Sequence, residues 1–451
     1  MCRVVRIRRF LSFDLTITVM IAFRRFLPLL LIGLLCGCLQ ESETVRPQQN
    51  FRPMAARRTI PVDEALGQLD GLLAMIDGPT TRASRRSVER VRVLRRCDLA
   101  ATRSENGYPA DLDSILYFVD FADDRGSAIL GADNRLPAVV TVTESPIDWK
   151  RKLVDFDITR IGTGPVDTVG RTIISLVKNY IDYQVSSRGF RSWYREWEEY
   201  VPPMMRTKWT QTAPYNDYCY TVDGQKAYAG CGPIAIGQVF ASNRWPNQIN
   251  GYYIDWNLIE QFNYDYPSPP SDDACTAVAY LIHEIGEGVL AEYKINGTFS
   301  GLGAHETFFE ECGYDSVRTE RYNNENIKEM LFTVQCPVVL LGYADHEDGI
   351  RKISHFWVVD GGLRRYFTLC SQVSSAGRIV EFESDAEELI VHCNFGWDGL
   401  CDGYYQSDMF DLSKPAVDYD EKLDESVPLN PPYYLFDQNL YLTMYSGYGS
   451  N

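Results

Sequence analysis

Hydrophobic and polar positions alternate with two different periods between residues 59 and 146. Apolar residues recur at helical spacing from Val62 to Ile76, with acidic residues in the first turn and Gly78-Pro79 after the end, which predicts a helix. The runs Leu116–Phe121 and Ser127–Leu130 flank a polar turn, a pattern typical of a β-hairpin. The β-branched run Val139–Thr143 predicts one more strand. Together these elements predict a small α+β unit over residues 59–146.

The apolar run near the N-terminus has the form of an export signal. Arg24 and Arg25 precede the sequence FLPLLLIGLL, and small residues then lead to Cys38. About ten apolar residues are too few to cross a bilayer comfortably, whereas a basic region followed by a short apolar core is typical of a secretory signal. The sequence Leu35-Cys36-Gly37-Cys38 resembles a bacterial lipobox, so residues 1–38 are predicted to be a lipoprotein signal whose cleavage leaves Cys38 lipid-modified. An ordinary signal or an uncleaved anchor is the alternative, and Met20 is a second candidate start.

Two polar connections separate the predicted units. Residues 39–58 are polar and contain proline, which predicts a tether behind the signal. Residues 147–201 include a predicted amphipathic helix, Val166–Tyr183, and end before Pro202-Pro203, a typical boundary. They are interpreted as a processing linker, with an ordinary interdomain connection as the alternative. Residues 202–451 form the last predicted domain.

Composition and charge restrict the classes of function. The chain has 451 residues, of which 45% are hydrophobic, so it can build large cores. Its net charge of −17 argues against a nucleic-acid partner. Residues 52–103 hold 11 Arg and 6 acidic residues, whereas residues 201–451 hold 15 Lys and Arg against 36 Asp and Glu. We therefore expect the basic region to dock on the acidic one, although two separately solvated surfaces would give the same counts.

Four residues of the last domain suit thiol chemistry. Cys231 lies between two glycines ahead of a helical pattern, so its thiol is expected at a helix N-terminus, where partial positive charge favours the thiolate. His355 opens the apolar strand Phe356–Val359, predicted to end at residues 360–362, and can take the thiol proton. Asn394, in a glycine-rich turn, can orient the imidazole, and Gln211 can donate to an oxyanion. An indole, Trp397, could shield the histidine–asparagine bond from water.

The other histidines and cysteines give weaker signals. No His or Cys spacing typical of zinc occurs, so neither a metal nor a cofactor is expected, and the acidic stretch 345–348 is interpreted as a solvated turn. His283, His305 and His392 are assigned structural roles only. Cys393 and Cys401 flank one loop and form the pair best placed for a disulfide, with buried free thiols at least as consistent with the pattern.

The order of these motifs resembles a known family. Gln, Cys, His and Asn follow the chain order of a papain-type enzyme, and four segments resemble the streptopain family of secreted bacterial cysteine peptidases: WTQTAPYND, AGCGPIAIGQVF, SHFWVVDGG and HCNFGWDGLCDGYY. The segment LYFVDFADDRGSAILGADNRLPAV resembles that family's inhibitory propeptide. The resemblance implies an α+β class: a papain-like fold whose helical part bears the nucleophile and whose antiparallel β part bears His and Asn, preceded by a small α+β prodomain.

Carried over residue by residue, the resemblance assigns the site. Cys231 becomes the nucleophile, His355 the general base and Asn394 its orienter, while Gln211 donates to the oxyanion and Trp397 is the shield. Three residues depart from the family's pattern, since Phe395 replaces a Trp, Asp398 a Gly and Ser354 a Gly. The last two bear on the substrate groove, so specificity is not carried over.

The expected function is that of a cysteine endopeptidase made as a zymogen. Its expected partners are protein or peptide substrates and its own propeptide, with membrane contact only through the lipid anchor, which implies an exported or outer-membrane protein. The main alternative is a catalytically silent surface protein that binds peptide or a host protein in a papain-like groove. Amidase or transpeptidase chemistry on cell-wall peptide, with the same nucleophile, is a third reading.

Overall fold

A computed structural model describes the chain in segments. They are residues 59–78, 85–94, 114–147, 177, 180, 181, 184, 190–192, 194–222, 224–294, 297–345, 352–375, 378–409 and 440–449. The predicted signal, Cys38, the tether, most of the predicted linker and residues 346–348 of the acidic stretch lie outside them. The chain divides into two compact units, Met1–Ala56 and Arg57–Asn451, and all that follows concerns the second unit. The predicted boundaries within it, at residues 146 and 201, stay predictions.

Six α-helices have defined bounds in the described segments. They are α1 (Val62–Ile76), α2 (Cys231–Asn243), α3 (Trp256–Ile259), α4 (Asp272–Gly288), α5 (Leu302–Glu311) and α6 (Asn324–Lys328). The longest, α4, begins where the Ser271 hydroxyl accepts a hydrogen bond from the Ala274 N–H at 3.2 Å, because the first turn of a helix has unpaired N–H groups. A π-helical turn, Glu329–Val334, follows α6 directly.

Eighteen strands are described. They are β1 (Val88–Leu94), β2 (Leu116–Phe121), β3 (Ser127–Gly131), β4 (Val139–Thr143), β5 (Phe190–Ser192), β6 (Glu199–Val201), β7 (Thr221–Val222), β8 (Gln225–Lys226), β9 (Gln248–Ile249), β10 (Tyr252–Tyr253), β11 (Tyr314–Asp315), β12 (Arg318–Arg321), β13 (Val338–Asp345), β14 (Lys352–Ser375), β15 (Arg378–Asn394), β16 (Gly403–Gln406), β17 (Tyr441–Met444) and β18 (Gly447–Tyr448).

One antiparallel sheet of twelve strands dominates the described part. Its order is β1-β2-β3-β4-β16-β15-β14-β13-β17-β12, and β5 and β6 also pair with the long strand β14. The two regions that the sequence separates share this sheet, since β4 pairs with β16 from Thr143 opposite Gly403 to Thr141 opposite Tyr405. An added side chain at Gly403 would lie 2.3 Å from the Val142 carbonyl oxygen, so only glycine allows this close pairing.

Three clusters of buried apolar side chains fill the fold. The first lies on the β part and includes Trp357, Phe395 and Trp397 together with Phe118 of β2. The second lies between helices α2 and α4 and the opposite face of β13 and β14. The third packs α1, through Leu69 and its neighbours at helical spacing, onto β2, β3 and β4 and onto residues of β14 to β16. The N-terminal region therefore shares two of its cores with the C-terminal region.

The local predictions are confirmed where the chain is described, with one exception. Helix α1, the hairpin β2–β3 and strand β4 have the predicted bounds to within one residue. The strand at His355 was predicted to end at residues 360–362, and this is wrong. Strand β14 runs on to Ser375, because its register with β15 shifts between Val359 and Gly361 and the ladder then continues. None of the helices among the described residues combines the length and the hydropathy needed to cross a membrane.

Candidate active site

Cys231 is the first residue of helix α2, as the sequence predicts. Gly230 precedes it with a φ of 97°, in the left-handed region that favours glycine. A side chain on Gly232 would lie 2.4 Å from the Ser300 hydroxyl and 2.8 Å from the His305 ring. Both glycines beside Cys231 are therefore required by the backbone conformation or by close packing, which explains why the sequence flanks the thiol in this way.

The thiol is partly buried, and its pKa reflects two opposed effects. Burial raises the pKa of Cys231 above its ordinary value, whereas N–H groups of Phe356, Gly232 and Cys231 itself lower it in part. The backbone donors act in the direction predicted from the helix terminus, but burial outweighs them. The expectation of a favoured thiolate is therefore not met in this conformation, in which the thiol is the favoured form. Cys231 also packs against the apolar cluster that includes Phe356, the residue that follows His355.

His355 lies on β14 opposite Gly342 of β13, and its side chain is 2% exposed. Aromatic rings surround its imidazole at centroid distances of 6.1 Å for Trp357, 6.3 Å for Phe395 and 6.0 Å for Trp397. Burial lowers the pKa of His355 to about 4, against a smaller opposing effect of the Phe395 carbonyl. The imidazole is therefore neutral at physiological pH.

The tautomer of His355 follows from its hydrogen bond. Its Nε2 lies 2.9 Å from the Phe395 carbonyl oxygen, and a carbonyl only accepts, so Nε2 carries the proton. Nδ1 is then the nitrogen with a free lone pair, which is the atom that a proton acceptor needs. Among the contacts of the described residues, no hydrogen bond joins Cys231 to His355.

Asn394 ends strand β15 and is bound on both sides of its amide. Its Oδ1 accepts from Gln238 Nε2 at 3.0 Å and from the Gly396 N–H at 3.1 Å, while its Nδ2 donates to the Thr207 carbonyl at 2.7 Å. Within the described segments, the His355 ring bonds to the carbonyl of Phe395, the residue after Asn394, rather than to the Asn394 amide. The orienting role of Asn394 stays a prediction, and the structure brings it within one residue of the contact it is predicted to make.

Gln211 and Trp397 also lie near the nucleophile and the histidine. Gln211 is buried, and its carbonyl accepts from the Ala229 N–H at 3.0 Å, two residues before Cys231. Trp397 is buried beside His355, as a shield requires. The four predicted catalytic residues and the shield thus come from four separate segments, one of which carries both Asn394 and Trp397, and they converge on one region. Their individual roles remain proposals.

Gln238 and Asp402 are two residues of this region that the sequence reasoning missed. Gln238, on α2, has no exposed surface and bonds to Asn394, and the signal for it was a polar residue inside an otherwise apolar helix. Asp402 accepts from the Phe395 N–H at 2.8 Å and so holds the residue whose carbonyl faces His355. Burial raises the pKa of Asp402 to about 7.

A second buried histidine, His392, was assigned a structural role only and forms an ionic cluster. Its Nδ1 lies 2.5 Å from Asp360 Oδ1, and its Nε2 lies 3.3 Å from Glu144 Oε1. Burial opposes the charged form, but the two carboxylates overcome this and raise the pKa of His392 to about 10. Glu144 also pairs with Lys208 at 2.9 Å, and after the opposing effect of burial these two cations lower the pKa of Glu144 well below its ordinary value.

The N-terminal region touches the loop that carries Trp397. The Glu144 N–H donates to the Asp402 carbonyl at 2.8 Å, and the Ser145 hydroxyl donates to the Gly399 carbonyl at 3.0 Å. Glu144 and Ser145 directly follow β4, which pairs with β16. Two hydrogen bonds thus join residues before the predicted linker to the loop beside His355, and the same region is bound to β16 by strand β4 and to His392 of β15 by Glu144.

No set of three or more His, Cys, Asp or Glu side chains within the described segments is arranged to bind a metal. No disulfide joins Cys393 to Cys401, so the pair considered from the sequence is not formed. Cys393 is fully buried in the first apolar cluster, which accounts for it as a small hydrophobic side chain.

Comparisons with known proteins agree with this geometry. The model of the peptidase C10 family matches residues 209–405, which include all five predicted site residues of the last domain. A fragment of mutant prointerpain A from Prevotella intermedia has a similar structure, with a TM-score of 0.51 and 16% sequence identity over 81% of this chain and 100% of that chain. Active wild-type interpain A, a cysteine protease of the same organism, gives a TM-score of 0.39 and 19% identity over 55% of this chain and 96% of that chain. No curated protein sequence matches significantly.

At this level of identity the first of these structures supports the fold alone. It confirms the predicted α+β class and the papain-like arrangement, in which a helical part bears Cys231 and an antiparallel sheet bears His355 and Asn394. The family match covers the segment in which those residues lie. Residues 209–405 therefore match the peptidase C10 family, the streptopain family, and this match supports a cysteine-type peptidase.

Proposed function

We propose that the chain is an endopeptidase made as an inactive precursor, in which Cys231 attacks the peptide carbonyl and His355 is the general base. The observation that carries this proposal is the packing of Cys231 against the apolar cluster that includes Phe356, the residue directly after His355, which puts nucleophile and base side by side. The Nε2 proton of His355, held by the Phe395 carbonyl, leaves Nδ1 free to take the thiol proton.

The remaining residues serve the same acyl transfer. The Cys231 N–H and the Gln211 amide donate to the oxyanion that forms when the thiolate attacks. His355 then gives its proton to the leaving amine, and water releases the acyl group in a second step. Asn394 fixes the imidazole orientation, and Trp397 keeps water from that contact.

The N-terminal region, from residue 59 to about residue 146, acts as the inhibitory propeptide. Its strand β4 pairs with β16, and the next residues, Glu144 and Ser145, bind the loop beside His355, which supports inhibition through that loop. In the bound form Cys231 is partly buried and His355 is almost fully buried, and this burial raises the pKa of Cys231 and lowers that of His355. These shifts disfavour the thiolate–imidazolium pair. Cleavage between residues 148 and 201, which admits water to the site, would reverse both.

Export and lipid attachment at Cys38 complete the proposal. They rest on the basic, apolar and lipobox-like order of residues 24–38. Labelling of the expressed protein with a fatty-acid analogue is expected to mark the wild-type chain in a membrane fraction and to leave Cys38→Ser unlabelled. Equal labelling of the two would remove the anchor from the proposal without touching the peptidase chemistry.

The central experiment measures cleavage of casein or a fluorogenic peptide by purified full-length protein and its processed forms. We expect thiol-dependent cleavage that increases when a smaller form appears, and no cleavage by Cys231→Ala. Binding of peptide without turnover by the processed wild type would instead favour the silent groove-binding protein. Full activity of intact precursor, with no smaller form at any time, would contradict the zymogen.

A further inference from the structure

Gln238 joins three segments of the proposed site. It follows Cys231 by seven residues, close to two helical turns, so both side chains lie on the same face of α2. Its Oε1 accepts from the Thr207 hydroxyl at 2.8 Å and from the Trp209 N–H at 3.3 Å, and its Nε2 donates to Asn394 Oδ1 at 3.0 Å. The Asn394 amide returns to the Thr207 carbonyl, which closes a ring of hydrogen bonds.

The orientation of both amides in this ring is determined by backbone groups. The Trp209 N–H only donates, so the Gln238 atom facing it is the oxygen, and the nitrogen faces Asn394. The Gly396 N–H likewise requires the Asn394 oxygen, and the Thr207 carbonyl requires its nitrogen. A flip of either amide would oppose donor to donor, so the ring has one arrangement.

The loop that follows Asn394 packs tightly on the same helix. Gly396 has a φ of 68°, and a side chain there would lie 2.9 Å from Ile234, one turn after Cys231. Gln238 itself has no exposed surface, and it is the one buried polar side chain of α2 among its buried residues, which are otherwise apolar or glycine. A buried amide is costly unless all its groups are bonded, and here it is bonded at both ends.

We propose that Gln238 is a positioning residue for catalysis, which fixes Asn394 and its loop relative to the nucleophile helix. This inference rests on the proposed role of Asn394. By holding the Asn394 amide, Gln238 sets the position of the next residue, Phe395, whose carbonyl fixes the His355 tautomer. Helix α2, which carries the Cys231 thiol, thereby also fixes the position of the base, His355.

The test measures kcat and KM of the processed enzyme for Gln238→Met, Asn394→Ala and the double variant. Methionine keeps the size of glutamine and removes its hydrogen bonds. We expect Gln238→Met to lower kcat by about tenfold with KM within twofold, and to lower it little further when Asn394 is already alanine. Asn243→Ala, which removes hydrogen bonds to Tyr445 and Tyr314 at the end of the same helix, is the matched structural control and is expected to lower thermal stability with kcat unchanged.

Gln238→Glu gives a second readout that does not depend on the fold of the methionine variant. A protonated carboxyl can still donate to Asn394 Oδ1, whereas a carboxylate repels it, so kcat should approach the wild-type value at low pH and fall as pH rises. A wild-type pH profile for this variant would overturn the inference. So would additive losses of kcat in the double variant, or a kcat loss in Asn243→Ala that matches that of Gln238→Met.

The roles of Asn394 and Gln238 can be overturned separately. If Asn394→Ala retains full kcat, the proposed orienting role of Asn394 falls, and the inference falls with it. If Asn394→Ala loses kcat while Gln238→Met does not, only the role of Gln238 is overturned. Loss in both, without additivity, supports both.

Discussion

Two histidines on neighbouring strands of one sheet, His355 on β14 and His392 on β15, are almost equally buried, yet one is neutral and the other is positively charged. Burial lowers the pKa of His355 to about 4, and its hydrogen bond to the neutral Phe395 carbonyl opposes this only in part. Burial acts in the same direction on His392, yet Asp360 and Glu144 raise its pKa to about 10. Burial alone therefore does not decide the state of a histidine, because a charged partner at hydrogen-bond distance can outweigh it.

The different protonation states of His355 and His392 suit different tasks. The neutral imidazole of His355 has a free lone pair for the thiol proton, whereas the cation of His392 has none and binds carboxylates. One of those carboxylates, Glu144, belongs to the region proposed as the propeptide. We interpret the His355 region as the chemical centre and the His392 region as the attachment point of the propeptide, about one strand apart in the same sheet.

Exchanging each histidine for glutamine gives the largest expected contrast. His355→Gln should lower kcat of the processed enzyme by about 10² to 10⁴, because it removes the general base. His392→Gln should leave that kcat within about threefold and shorten the lifetime of the precursor, because glutamine can donate a hydrogen bond but not a charge. Casein cleavage by processed enzyme and the rate of precursor processing measure the two effects. Equal kcat losses in both variants would contradict the proposed division of roles between His355 and His392.

Glu144→Gln tests the attachment from the other side of the ion pair. It removes the charge that faces His392 and Lys208 and keeps the size of the side chain. We expect the precursor to be processed about tenfold faster, because hydrogen bonds between charged groups are stronger than neutral ones. The rate is measured on inert Cys231→Ala precursor to which processed wild-type enzyme is added. Glu89→Gln on β1, an exposed glutamate, is the control, and acceleration of the same size there would contradict the role of Glu144.

The two histidines also predict opposite slopes of precursor stability with pH. His392 has a raised pKa, so its contribution is complete below about 6.5 and is lost as pH rises toward 10. His355 has a lowered pKa, so its contribution is present above about 6.5 and is lost as pH falls toward 4. Thermal unfolding midpoints of inert precursor should fall by several degrees on each side. His392→Gln should flatten the alkaline side only, and a flattened acid side in that variant would contradict the assignment.

The sequence predicted those structural elements that depend on residues close together in the chain. Helix α1, the hairpin β2–β3 and the start of α2 at Cys231 follow from local periodicity, glycines and caps. The pairing of β4 with β16 joins Thr141 to Tyr405, and no local pattern specifies a contact so distant in sequence. Gly361 and Gly362 were read as the end of a strand, but the ladder of β14 with β15 overrides the low strand propensity of glycine.

The site was predicted in its members and less well in its contacts. Cys231, His355, Asn394 and Gln211 were singled out because each residue type has a chemical role in acyl transfer. Which atom meets which depends on register and loop geometry, so the Phe395 carbonyl in place of the Asn394 amide was not foreseen. The pKa shifts were unforeseen for the same reason, since they depend on what the tertiary fold packs around each group.

Asp402 connects the two histidine regions and gives the smallest expected effect. Its carboxylate accepts from the Phe395 N–H on the His355 side, and the charge of His392 acts on it from the other side. Asp402→Asn keeps an acceptor oxygen for Phe395, so we expect kcat within about twofold, whereas Asp402→Ala leaves that N–H unpaired and should cost about tenfold.

The charge of Asp402 should appear in stability rather than in rate. Burial raises its pKa to about 7, so the folded state binds more protons than the unfolded state, and its contribution to the free energy of unfolding decreases as pH rises from about 4 to 7. This slope opposes the one from His355, and Asp402→Asn should therefore steepen the rise of the unfolding midpoint over that range. Two results together would show that the charge of Asp402, rather than its hydrogen bond to Phe395, supports the His355 region. The first is an unchanged slope of the unfolding midpoint with pH in Asp402→Asn. The second is a kcat loss in Asp402→Asn equal to that in Asp402→Ala. The two histidine regions would then share one electrostatic network.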